Sequence, residues 1–201
     1  MTMMKKTVQC LAVMAAMIAI LTACDLETPN SGELDGLWGG GKVASKNGNI
    51  EMIIRFTPNE ADSTRGEFAM WYEGTWNDED DAGKFAQGFS VSVPGTYAVE
   101  SDAIVFKYDP DKVGVKLDDD DALEHAKALQ EAGEEGSVEA IAEDFKDMFG
   151  GYLGESFQGM FKSRNNGGNR HTFSIKDGKL ILTDSGNPDI VLTKKEESSA
   201  K

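Results

Sequence analysis

Ile50-Glu51-Met52-Ile53-Ile54-Arg55-Phe56, followed by Phe68-Ala69-Met70-Trp71-Tyr72, sets the period of this chain. Successive side chains on an extended backbone point to opposite sides, so Ile50, Met52, Ile54 and Phe56 share one face of a strand, and Phe68, Met70 and Tyr72 one face of the next. The alternation continues through Phe89-Val91-Val93, Tyr97-Val99, Ile104-Phe106-Tyr108 and Val113-Val115-Leu117, with turns at Ser101-Asp102 and Asp109-Pro110-Asp111. Phe173-Ile175 and Leu180-Leu182 flank Asp177-Gly178, a pair that tolerates the positive φ angles of a tight hairpin turn. Ile190 and Leu192 make a last strand after Gly186-Asn187-Pro188. About eight or nine short strands at this spacing predict an antiparallel sandwich or barrel.

One segment departs from that rhythm. Leu123, Ala126 and Leu129, then Val138, Ile141, Phe145, Met148 and Phe149, recur at helical spacing. Gly133 and Gly136 separate two predicted helices, and Ser137 opens the second, although Ala140 stands where a capping box places Glu or Gln. Gly150-Gly151 is expected to end it, with Tyr152, Leu153, Phe157, Met160 and Phe161 forming a third, short amphipathic piece. Ser163 to Asn169 is a polar, Gly-rich return to the sheet.

Upstream, Met4-Lys5-Lys6, the apolar run Val8 to Leu21 and Leu21-Thr22-Ala23-Cys24 have the order of a bacterial lipoprotein signal. The run falls short of the roughly 20 residues that span a bilayer. The expectation is therefore a signal peptide over 1–23, acylation of Cys24, and a flexible tether over 24–35 that contains Pro29 and Gly32. A domain over 36–195 follows, with a helical insertion at 118–162 and a disordered tail at 196–201. This places the protein at the cell envelope, lipid-anchored in the outer membrane on its periplasmic or surface face.

The net charge is -15; loss of Lys5 and Lys6 with the signal leaves 18 Lys and Arg against 35 Asp and Glu, or -17. So acidic a surface repels nucleic acid and anionic headgroups, leaving the acyl chains on Cys24 as the expected membrane contact. Cys10 leaves with the signal and Cys24 is acylated, so the domain is expected to hold by packing without a disulfide.

The lipobox, the short tether, Gly36-Leu37-Trp38 opening the first strand and the closing hairpin together resemble the small lipocalin-like lipoproteins of Gram-negative gut anaerobes. The resemblance covers roughly residues 36 to 193 by pattern and implies a mainly β fold, an antiparallel meander β-barrel. It also implies that Trp38 packs across one end. The family places a basic residue over that Trp, and here Lys194 and Lys195 follow Ile190-Leu192. The helical segment lies between strands, where the family carries its helix after them; laid across an open end, it would act as a lid or plug.

Motifs for chemistry fail on inspection. Gly36 to Lys42 approaches a phosphate-binding loop, but Val43 replaces the magnesium-binding hydroxyl, and the glycines read as a bend at the barrel entrance. Gly154 to Gly159 has one residue too many for a nucleophile elbow. His125, among Asp121, Glu124 and Lys127, and His171, opening a strand, read as exposed residues rather than catalytic bases. Asp118-Asp119-Asp120-Asp121 lacks the calcium-loop alternation and reads as acid at a helix start. Asn77-Asp78-Glu79-Asp80-Asp81 reads as a solvated loop tip, and Asp62-Ser63-Thr64 resembles a short O-glycosylation acceptor. No catalytic residue, metal or cofactor is assigned.

Contact sites remain. Trp71 and Trp76 are the candidates for exposed rings beside the acidic loop, and Phe145 and Phe149 for a partner-binding helix face. The function expected is a membrane-anchored, non-enzymatic barrel that binds a small apolar or amphipathic ligand. The alternative is an accessory lipoprotein with a solid barrel that binds an envelope protein or glycan.

Overall fold

The structure, a computed structural model, describes residues 31–43, 48–80, 82–184 and 188–196. The signal, Cys24 and the end of the tail lie outside the described residues. The strands are β1 (Gly36–Val43), β2 (Gly48–Asn59), β3 (Asp62–Asp80), β4 (Gly83–Glu100), β5 (Ala103–Tyr108), β6 (Gly114–Leu117), β7 (Arg170–Lys176), β8 (Lys179–Thr183) and β9 (Ile190–Lys195). Two helices, α1 (Asp119–Glu131) and α2 (Val138–Asn165), stand between β6 and β7.

The nine strands form one sheet in the order β3-β2-β1-β9-β8-β7-β5-β4-β6, and the further β3–β4 pairing closes eight of them, all but β6, into a ring. Every pairing is antiparallel. The result is a closed meander barrel, compatible with a lipocalin-like fold. β6 continues β5 along the same edge of β4: β5 pairs with Gly95–Glu100, and after a 3-10 turn at Pro110–Lys112, β6 pairs with Phe89–Ser92. Closure pairs each of these eight strands on both sides, so within the ring little edge is left to template pairing with another chain. The glycines of β1 do supply a bend, since the register shifts between Gly39 and Gly41 around Gly40, whose φ is +100°.

Alternation fills the interior as expected. Met52, Ile54 and Phe56 of β2 are buried, as are Phe68, Met70 and Tyr72 of β3. A chain of rings crosses the lumen: Phe56 lies 6.1 Å from Phe106, Phe106 5.1 Å from Phe68, and Phe68 5.5 Å from Tyr108. Desolvation of these buried rings pushes the Tyr72 and Tyr108 phenols upward, against the opposing charge of Arg164.

One end of the barrel is plugged by the insertion. Phe145, Phe149, Leu153, Phe157 and Phe161 recur every fourth residue along α2, and Phe161 sits 4.7 Å from Tyr108 and 6.1 Å from Tyr72. α2 does not stop at Gly150-Gly151 but runs unbroken to Asn165. Each interior glycine costs roughly 1 kcal/mol of helix propensity, and the aromatic stripe packed on the barrel outweighs that cost. At its end, Asn165 accepts from Tyr108 N at 3.0 Å and donates to Tyr108 O at 3.0 Å, while beyond it Asn169 donates through Nδ2 to Phe106 O at 2.8 Å. These amides extend the ladder on β5 beyond the start of β7.

Trp38, near the start of β1 and toward the other end, is fully buried. Its Nε1 donates to the carbonyl of Leu34 at 2.6 Å. Leu34 ends a helical turn, Ser31–Leu34, so the ordered domain begins inside the stretch read as tether.

Candidate functional site

β3 and β4 run past the rim of the barrel, so Asn77–Asp80 is not a loop tip but paired hairpin, with Asp78 opposite Phe85 and Asp80 opposite Gly83. Alternation carries the inward face of β3 out along the hairpin: Trp76, Asp78 and Asp80 lie on the face of Tyr72, with Phe85 facing the same way from β4. That face meets the two helices. Phe85 lies 4.3 Å from the His125 ring on α1 and 5.7 Å, edge-on, from Phe145 on α2. Phe145 stacks on Phe149 at 5.5 Å, and Phe149 meets Trp76 at 6.1 Å.

The acidic run fixes this junction. Asp118 caps α1 by accepting from the backbone N–H groups of Asp120 and Asp121 at 3.0 and 3.1 Å. Asp121 accepts from Gly88 N at 2.7 Å, tying α1 to β4, and Gln87 donates to the Asp118 carbonyl at 3.0 Å. Asp119 pairs with Lys146 at 3.0 Å, linking α1 to α2. The helix-start reading of these carboxylates therefore holds. Among the described residues no group of three or more His, Cys, Asp or Glu is placed to hold a metal ion.

Between the hairpin and α2 lies an open cleft of about 800 Å³. Its apolar wall is made by Trp76, Phe85, Phe145, Met148, Phe149 and Tyr152, and its rim by Asp78, Glu79, Asp80, Glu134, Glu135 and Asp144. Met148 is 70% exposed and Tyr152 57%, although both are large and apolar-bodied. The structure thus brings Trp76, Phe145 and Phe149 together. Trp71 stands apart, half-buried on the outer wall of the barrel between Ile53 and Ser92. Met148 and Tyr152 were not singled out as contact residues; their spacing on the open side of the Phe145–Phe149 stripe was the available signal.

Both histidines are buried, not exposed. His125 retains 5% of its surface, with its Nε2 3.0 Å from Asp80 Oδ2, because the hairpin tip folds onto α1. His171 retains 4% and lies edge-on to Phe106 at 5.7 Å. Burial holds the His171 imidazole below its ordinary value; Asp184 opposes that shift and Arg164 adds to it.

Among the described residues no helix is long and apolar enough to cross a membrane. Compared with models of protein families, with curated proteins and with solved structures, the chain matches none.

Proposed function

We propose that this protein is an envelope lipoprotein, held in the outer membrane through acylated Cys24, which binds a small amphipathic ligand and performs no chemistry on it. The observation that carries the reading is the contrast between a lumen filled by its own rings and an aromatic cleft open to solvent outside it. Sites for small ligands are concave, mostly apolar and edged by a few polar groups, and a cleft of about 800 Å³ lies within the usual range. The ligand belongs against Trp76, Phe149 and Tyr152, not inside the barrel.

Native mass spectrometry of residues 25–201, exported without the lipidated cysteine, tests this, since the strands, α1 and α2 lie within 31–196. A mass increment of a few hundred daltons that disappears in a Met148→Asp/Tyr152→Asp variant supports the cleft. A clean mass, with no uptake from an envelope extract, removes it. Labelling with a radioactive fatty acid, lost in Cys24→Ser, tests the anchor independently.

A second reading uses the same exposed pair. Met148 and Tyr152 stand one turn apart on α2, as on a helix face that docks a protein or glycan, and a packed barrel needs no ligand of its own. Recovery of one envelope partner by the wild-type domain, absent with the Asp variant, favours it.

A further inference from the structure

The rim of the cleft specifies more than size. Among the described residues no Lys or Arg lines it, and His125, which does, is turned to Asp80, whereas Asp78, Glu79, Asp80, Glu134, Glu135 and Asp144 all stand around the faces of Trp76, Phe149 and Tyr152. Glu134 and Glu135 come from the α1–α2 connection, Asp144 from α2 and the other three from the hairpin, so the charge encircles the aromatic wall from three separate elements. Low-dielectric walls lined by one sign of charge focus the field on what lies between them. An anionic head placed there meets repulsion on every side, and a neutral head gains nothing from it.

Resting on the cleft reading above, we propose that the ligand is a small amphipathic cation: an organic ammonium ion carrying an aromatic or short aliphatic body. Its apolar body lies on Trp76, Phe149 and Tyr152, where a cation also meets the negative faces of the rings. Its ammonium points to the rim carboxylates of Glu134, Glu135 and Asp144. A second copy of this chain does not fit, because it would set one acidic rim against another.

The test uses three probes of one shape and different charge: 2-(2-naphthyl)ethylammonium, 2-(2-naphthyl)ethanol and 2-naphthylacetate. Each is titrated by calorimetry into the full chain as isolated from expressing cells, in phosphatidylcholine nanodiscs, with empty nanodiscs as blank. The ammonium ion is expected to bind at least about tenfold more tightly than the alcohol, and the carboxylate more weakly than either. Glu134→Gln/Glu135→Gln/Asp144→Asn, all at exposed positions, should cost the ammonium ion about tenfold and leave the alcohol within about twofold. Glu60→Gln/Glu67→Gln/Glu73→Gln removes the same charge from the β2–β3 turn and the wall of β3 and should change neither.

Equal binding of ammonium ion and alcohol overturns the cation and leaves the cleft standing. Equal loss in both triple variants overturns it as well, since the field of the whole chain then suffices. Displacement of the ammonium ion by a far tighter Lys-rich peptide makes the groove a peptide site instead. Binding of none of the three probes removes the cleft itself.

Discussion

Lys194 Nζ stands 5.3 Å from the centre of the Trp38 ring, and the two residues are register partners across the β1–β9 seam that closes the barrel. Register explains the contact. Lys194 shares a strand face with the fully buried Leu192, so at the rim its stem lies over Gly36 and its ammonium over the indole. Trp38 is held from the other side by its bond to Leu34. Lys194→Ala should lower the free energy of unfolding by about 0.5–1 kcal/mol, the usual worth of an exposed cation–π contact. Trp38→Ala should lower it by about 3–5 kcal/mol. Urea titration checks both, with Lys195→Ala, on the opposite face, as the control. An equal loss in the two lysine variants would refute the specific contact.

Glycine substitutions should change stability in opposite directions at two places. On α2, a Cβ at Gly151 or Gly159 meets nothing within 4 Å, so Gly151→Ala and Gly159→Ala should each add about 0.5–1 kcal/mol. In β3, a Cβ at Gly74 would stand 2.1 Å from the Asn49 carbonyl oxygen, and Gly74→Ala must separate β2 from β3 or fail to fold. Thermal unfolding should show a Tm rise for the helix pair and a fall for Gly74→Ala.

The strand pattern was legible where one face is buried and the other wet, as from Ile50 to Phe56 and from Phe68 to Tyr72. It faded from Asn77 onward, because the pairing there is held by backbone register and by Phe85 of β4 packed against α1, neither of which leaves a period in Asn77-Asp78-Glu79-Asp80. Gly150-Gly151 misled for a related reason: propensity is local, whereas the Phe145-to-Phe161 stripe acts through a barrel assembled from distant strands. The burial of His125 depends on that same hairpin folding over, so its polar neighbours in sequence gave the wrong surroundings. Of the contact residues, Trp76, Phe145 and Phe149 were recognisable as rings near charge. That they face one another is a product of topology.

His171 makes stability depend on pH. Burial against Phe106 holds its folded value below that of the unfolded chain, so the unfolded state binds the proton more readily. The stability this represents is complete above the unfolded imidazole value, about 6.5, and is lost as pH falls from there toward the folded value. The free energy of unfolding should therefore drop between about pH 7 and pH 5. His171→Phe, which keeps an apolar ring beside Phe106, should flatten that slope while His125→Phe leaves the His171 contribution in place. Urea midpoints across this range decide it: an undiminished slope in His171→Phe would assign the effect to other groups.

Phe85 is the aromatic ring that packs the hairpin tip on both helices, and through it the cleft keeps its shape. Its contacts with His125 and Phe145 are the ring contacts that reach α1 and α2 from β4, while Trp76 reaches α2 from β3 through Phe149. The pairing of β3 with β2 ends at Trp76, so beyond it the tip is held by the β3–β4 ladder, by the packing of Phe85 and by the contact of Asp80 with His125. A two-stranded ribbon without such packing is marginal in water. Phe85→Ala should therefore release the tip without opening the barrel. Amide exchange at Asp78, Glu79, Lys84 and Ala86 should quicken by about tenfold or more, while exchange at Ile54, Met70 and Val91 changes little. Uniform acceleration across both sets would instead show that the hairpin tip and barrel unfold as one unit.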